Sequence, residues 1–191
     1  VERAEECQYV VDLGGNIGLT SLYLAAAFPR SRLLTVEPSP ANREILEQNL
    51  APLVRTGRCR ICPGAVWHED TTLDLSPPPD GVGFDAIQVT IATADGMRQP
   101  TPAYTVGTLM RTAGFPRIDI LKIDIEGAET AVFRGPTDWL ARVNTIAVEF
   151  HGDSRSESGF DAVAGAAGFR IEDDEAPNTV VAYRPREQRV R

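Results

Sequence analysis

The chain is short of positive charge, and of lysine above all. It carries 19 basic residues against 27 acidic ones, a formal net charge of −8, and Lys122 is the single lysine among them. That balance argues against a general nucleic-acid or anionic-membrane surface, so no nucleic-acid partner is expected. Cysteine is scarce as well. Cys7, Cys59 and Cys62 are too few for a disulfide framework, and a reducing, cytoplasmic setting is the expectation. Cys59 and Cys62 have C-x-x-C spacing, but no second pair completes a zinc site, so free thiols are expected. There are two histidines, His68 and His151. No apolar run is long enough to span a membrane, and no secretory signal is found. The first residue is Val1 rather than methionine, so a preceding segment is to be expected.

Linkers and internal repeats are missing too. The 191 residues, 42% hydrophobic and 24% charged, suit one domain over 1–191. The preference for arginine, with abundant alanine and glycine, is associated with GC-rich bacterial genomes.

What is present begins at residue 10. Val-Val-Asp-Leu-Gly-Gly-Asn-Ile-Gly fills 10–18, and a second apolar run, Leu-Thr-Val-Glu-Pro, carries Glu37. A strand, a glycine-rich turn and a second strand ending on an acid form a nucleoside-binding crevice, in which the acid takes the ribose hydroxyls. A dinucleotide fingerprint would read G-x-G-x-x-G. Asp12-x-Gly14-x-Asn16-x-Gly18 does not match it. A carboxylate at Asp12 would repel a phosphate and suits a cation such as an amino group. S-adenosylmethionine offers a ribose for Glu37, an α-amino group for this turn, and no phosphate.

Apolar periodicity places strands at Val10–Leu13, Arg32–Glu37, Cys59–Val66, Ile118–Asp124, Asn144–His151, Phe169–Asp173 and Thr179–Tyr183. Helices are expected over Ile17–Phe28, from a Ser39 cap to about Leu53, from Thr105 to Ala113, over Ala128–Phe133 and over Ser154–Ala167. Between 67 and 104 the alternation breaks. Strands at Thr71–Leu75 and Asp85–Ile91 flank Pro77-Pro78-Pro79-Asp80-Gly81, and an antiparallel excursion at one sheet edge is expected. The tail 184–191 is expected to be solvated and mobile. The whole reads as α/β, a Rossmann-like sandwich around a mostly parallel sheet.

Four stretches resemble the FkbM family of class I S-adenosylmethionine-dependent methyltransferases. They are Val-Asp-Leu-Gly-Gly-Asn-Ile-Gly at 11–18, Val-Glu-Pro-Ser-Pro at 36–40, Gly-Ala-Val-Trp at 64–67, and Ile-Asp-Ile-Leu-Lys-Ile-Asp-Ile-Glu-Gly-Ala-Glu at 118–129. The resemblance implies a seven-stranded sheet with an antiparallel last strand, and methyl transfer to a hydroxyl of a sugar, glycolipid or natural product. It also implies that Ala65 and Val66 line the adenine.

Ligands in such sheets lie beyond the carboxyl ends of the strands. Glu37 is the expected ribose ligand and Pro38 an apolar wall, with Asp12, Gly14, Asn16 and Gly18 around the methionine end. Lys122 and Asp124 share a strand face; either they act on the ligand or they form a buried pair. Asp124, Glu149 and His151 gather at two adjacent strand tips, similar to the magnesium site of catechol-type O-methyltransferases. Two mechanisms follow. Asp124 and Glu149 would hold Mg2+ to activate the acceptor hydroxyl, or His151 would act as general base with Glu149 or Asp124 orienting it. The partner is then a small-molecule or glycan acceptor with a free hydroxyl. A homo-oligomer is left open. The alternative reading is a catalytically silent scaffold of the same fold.

Overall fold

The near-continuous Val, Ile and Leu runs become strands buried on both faces. The computed structural model describes residues 4–76, 88–90, 99–176 and 178–190. β1 (Tyr9–Leu13), α1 (Leu19–Ala27), β2 (Arg32–Glu37), α2 (Pro40–Arg55) and β3 (Cys59–Pro63) come first. Four short strands follow: β4 (Ala65–Val66), β5 (Thr71–Ser76), β6 (Gln88–Thr90) and β7 (Pro100–Tyr104). Next are α3 (Val106–Ala113), β8 (Ile118–Ile123), α4 (Glu129–Arg134), β9 (Val143–Glu149), α5 (Ser154–Ser158), α6 (Phe160–Ala166), β10 (Arg170–Asp173) and β11 (Thr179–Tyr183).

The main sheet has the order β10-β11-β9-β8-β1-β2-β3. Its pairings are parallel except those of β11, which runs antiparallel to both β9 and β10. The expected seven-stranded architecture is borne out. Successive side chains point to opposite faces, and each face has its own helices. Val11, Leu34, Leu121 and Ile146 lie in one row across the sheet and pack with Met110 of α3 and Phe133 of α4. Val10, Leu33 and Ile120 pack with Leu24 of α1 and Leu46 and Leu50 of α2 on the other face. Ser39 caps α2, its Oγ accepting from the Asn42 N–H at 3.3 Å, with Pro40 in the first turn. Cys7, Cys59 and Cys62 are free thiols. Among the described residues no helix is long and apolar enough to cross a membrane.

Four expectations are corrected. The strand expected over Cys59–Val66 divides at Gly64, whose φ of 148° only glycine adopts easily and whose missing side chain leaves room for the Pro102 carbonyl. Ala65 and Val66 leave the main sheet and pair with Ala103 and Tyr104 in a second sheet, of order β4-β7-β5-β6. β7 was not among the expected strands, and Pro100 and Pro102 are residues that disfavour one. β4 reaches only Ala103 and Tyr104, so both prolines lie where β7 has a single partner, β5. The antiparallel excursion is present as β5 against β6 and β7, while the proline loop 77–81 lies outside the described residues. The helix expected over Ser154–Ala167 breaks at Gly159 (φ 66°), which redirects the chain so that Phe160 enters the core against Phe133 and Phe150. Lastly, the segment expected to be a mobile tail is held from its first residue. The buried Arg184 donates to the carbonyls of Val143, Ala167 and Leu140, and the Val190 N–H donates to Asn144.

Candidate functional site

β1, β2, β8 and β9 end on the same side of the sheet, and the segments leaving them enclose a cavity of about 270 Å3. The turn after β1 forms one wall. Its Gly14 and Gly15 N–H groups both donate to the Val36 carbonyl, at 3.0 and 2.9 Å, which ties the turn to β2. Gly14 has φ 80° and sits so close to the Asp124 carbonyl that a side chain would collide with it. Glycine there lets the exits of β1 and β8 meet.

Glu37 ends β2 beneath this turn and is 4% exposed. Oε2 accepts from the Asn16 N–H at 2.9 Å, and Oε1 accepts from the Ser39 N–H at 2.9 Å and Asn42 Nδ2 at 3.4 Å. Burial pushes its carboxyl above the usual range, against the pull of these donors. An ionised carboxylate has about four acceptor positions, so three donors leave capacity for a ligand hydroxyl. Pro38, Ala65 and Val66 line the cavity, joined by Val36, Asn42 and Gly64. Gly14 and Asn16 line it too.

Asp12, Gly18 and Lys122 are not in that lining. Asp12 has no exposed surface and lies behind the turn, with Ser21 Oγ donating to Oδ2 at 2.6 Å and Lys122 Nζ at 3.2 Å from Oδ1. Its charge is occupied by Lys122, so the role expected for it, receiving a ligand amino group, is corrected. Lys122 also donates to the Gly14 carbonyl at 2.7 Å and stands 3.3 Å from Asp124. Burial alone would lower its ammonium, but the charges of Asp12 and Asp124 outweigh that and hold it above the ordinary lysine value. In the structure Lys122 is engaged by Asp12, Asp124 and the Gly14 carbonyl, contacts that hold the turn.

The opposite wall is acidic. Asp124, Glu126 and Glu149 line the cavity with His151, Ile125 and Ala128. His151 Nε2 stands 3.4 Å from Glu126 and 3.7 Å from Asp124, while Nδ1 meets Glu129 Oε1 at 3.1 Å. The hydrogen bond to Glu129, with the charges of Glu126, Glu129 and Asp124, overcomes burial and lifts the ring to about 9. With the ring lifted that far, the imidazole is protonated at neutral pH. The partner bonded to the ring is Glu129, not the expected Glu149 or Asp124. Glu129 was quoted within the 118–129 motif but given no role. The available signal was its place three and four residues before Val132 and Phe133, an acid on an apolar helix stripe.

The expected magnesium pair does not emerge either. Among the described residues, the group of three or more metal-competent donors within 4.8 Å of one another is Asp124, Glu126 and His151, without Glu149. Magnesium prefers an octahedron of oxygens. A set with an imidazole already surrounded by three carboxylates does not fit it.

A parallel sheet with this strand order, one antiparallel inserted strand, and a ligand-sized cleft at the strand ends is the Rossmann-like fold of class I methyltransferases. The Methyltransferase FkbM domain matches residues 12–171, and the chain belongs to that family. A crystal structure of an FkbM methyltransferase from Methylobacillus flagellatus superposes with a TM-score of 0.66 at 15% identity, covering 93% of this chain and 43% of that one. Methyltransferase 1 of Beauveria bassiana is 27% identical over 148 residues, 68% of this chain and 59% of that protein. The hexuronic acid methyltransferase AglP of Haloferax volcanii is 25% identical over 151 residues, 79% of this chain and 59% of its own length. The chain thus spans less than two thirds of each of these relatives.

Proposed function

We propose that the chain transfers a methyl group from S-adenosylmethionine to a hydroxyl of a sugar, glycolipid or natural product, with His151 as the proton acceptor. The observation that carries this reading is one cavity holding both the Glu37 carboxylate under a glycine turn and the His151 ring at the opposite wall. Four carboxylates line that cavity. They would oppose the pyrophosphate of a dinucleotide and suit a nucleoside that carries positive charge. When bound, the cofactor supplies an electrophilic methyl on a sulfonium. Glu37 accepts from the ribose hydroxyls, and Val36, Pro38, Ala65 and Val66 pack on the base. The acceptor hydroxyl gives its proton to Nε2 of neutral His151 as the new C–O bond forms and the C–S bond breaks. Most of the remaining rate comes from alignment and the exclusion of water. A relative acting on a hexuronic acid supports a hydroxyl-rich acceptor.

Calorimetric titration with S-adenosylhomocysteine tests the reading. Wild type should bind, and Glu37→Ala should bind about 10- to 100-fold more weakly while its circular dichroism remains native. A wild type that binds but turns over no hydroxylated acceptor would favour the silent scaffold.

A further inference from the structure

Glu129 has no exposed surface, yet it is a carboxylic acid at the start of a helix whose neighbours Ala128, Val132 and Phe133 are buried apolar residues. Glutamate is almost never fully buried unless paired. Here Oε1 accepts from the Ile125 N–H at 3.3 Å and from His151 Nδ1 at 3.1 Å, and Oε2 has no hydrogen-bond partner. A half-satisfied buried acid is destabilising compared with an apolar residue of the same size. Stability does not account for it, but its two partners do. Ile125 lies in the loop after β8 between Asp124 and Glu126, which both line the cavity, and His151 stands just beyond β9. One oxygen joins these two strand exits.

The geometry points to Glu129 as a positioning residue that anchors His151 through Nδ1 and so turns Nε2 toward the acceptor. An ionised carboxylate can only accept. The hydrogen bond therefore requires a proton on Nδ1, and when the ring loses its other proton the free lone pair is on Nε2. That is the nitrogen facing Glu126 and Asp124 at 3.4 and 3.7 Å. Without Glu129 the ring is free to rotate and to take either tautomer. A general base has to hold both its orientation and its tautomer to work. The role in catalysis rests on the methyl-transfer reading above. The anchoring itself does not.

The test uses protein labelled with 15N in histidine, with His68→Asn to assign the two rings. In alkaline solution wild-type His151 is expected as the Nδ1–H tautomer, and Glu129→Gln, which keeps an acceptor oxygen, is expected to retain it. Glu129→Met fills the space without an acceptor and should release the ring into a tautomer mixture. In turnover, Glu129→Met should lower kcat about 100-fold or more with Kd for S-adenosylhomocysteine changed less than about threefold, and Glu129→Gln should recover at least a tenth of the loss. A wild-type ring in the Nε2–H form overturns the proposal without any variant. An unchanged tautomer or unchanged kcat in Glu129→Met does so as well. An anchored ring in a protein that binds no S-adenosylhomocysteine would keep the positioning and sink the methyl-transfer reading.

Discussion

At the scale of single residues, His151 decides how the site responds to pH. Three carboxylates raise its ring from the ordinary 6.5 to about 9. A group whose folded-state pKa is raised contributes stability that is fully present below the unfolded value and lost as pH climbs through the folded one. The melting-temperature difference between wild type and His151→Gln should therefore be largest at mildly acidic pH and shrink toward pH 9. The same proton blocks the base, so kcat/KM should rise through the neutral range and level off near 9, and His151→Gln should lose about 10²- to 10⁴-fold in kcat. A rate that instead falls with rising pH would make His151 an electrostatic partner rather than a base. Much of this wall was legible in the sequence. Asp124, Glu149 and His151 follow apolar strands, and polar residues at strand exits line clefts. Glu129 was not, because the alternation that reads strands gives no role to an acid on a short helix. Asp12 misled for another reason: sequence places a carboxylate at a strand end but does not say that Lys122 has already taken its charge.

At the scale of elements, the central strands were readable because Val10–Leu13, Arg32–Glu37 and Ile118–Asp124 carry long apolar runs, and these expected bounds hold nearly to the residue. β7 was hidden by its prolines, and Cys59–Val66 looked unbroken because Gly64 separates two strands that continue the same apolar run but pair in different sheets. The helix α2 was legible from its Ser39 cap and its spacing. Leu46, with Leu50, is one of the residues through which α2 meets the sheet, fully buried with Val10 and Leu33. Leu46→Ala should lower unfolding stability by about 2–5 kcal/mol, read from urea titration. A loss under about 1 kcal/mol would mean that α2 is not packed as described. Because α2 also carries Asn42, which bonds Glu37, S-adenosylhomocysteine affinity should fall in the same variant.

At the scale of the whole molecule, charge and topology act together. The formal net charge is −8, and the cavity walls carry Glu37, Asp124, Glu126 and Glu149. A protein of that sign draws cationic ligands from a distance, and salt screens the attraction. S-adenosylmethionine, with its sulfonium, should lose affinity as ionic strength rises, and neutral-sulfur S-adenosylhomocysteine should lose less. Equal salt dependence of the two by calorimetry would show that the acidic wall does not sense the sulfonium. The acidic bias was plain in the composition. Most of its concentration in one cleft was legible too, from Glu37, Asp124 and Glu149 at strand ends; Glu126 was the carboxylate not assigned to the cleft, and it joins Glu37 there through the parallel order of β2, β1 and β8.

The position of β11 has a consequence for how the protein is made. It lies between β9 and β10 and pairs with both, yet it is the last of the described strands to leave the ribosome. Until Thr179–Tyr183 emerge, β9 lacks its outer partner, and an unpaired strand edge invites association with other chains. Synthesis order thus leaves the wall that bears Glu149 and His151 for the end. A nascent chain stalled before residue 179 would be captured by chaperones or aggregate, and it would have no finished cleft to bind a ligand.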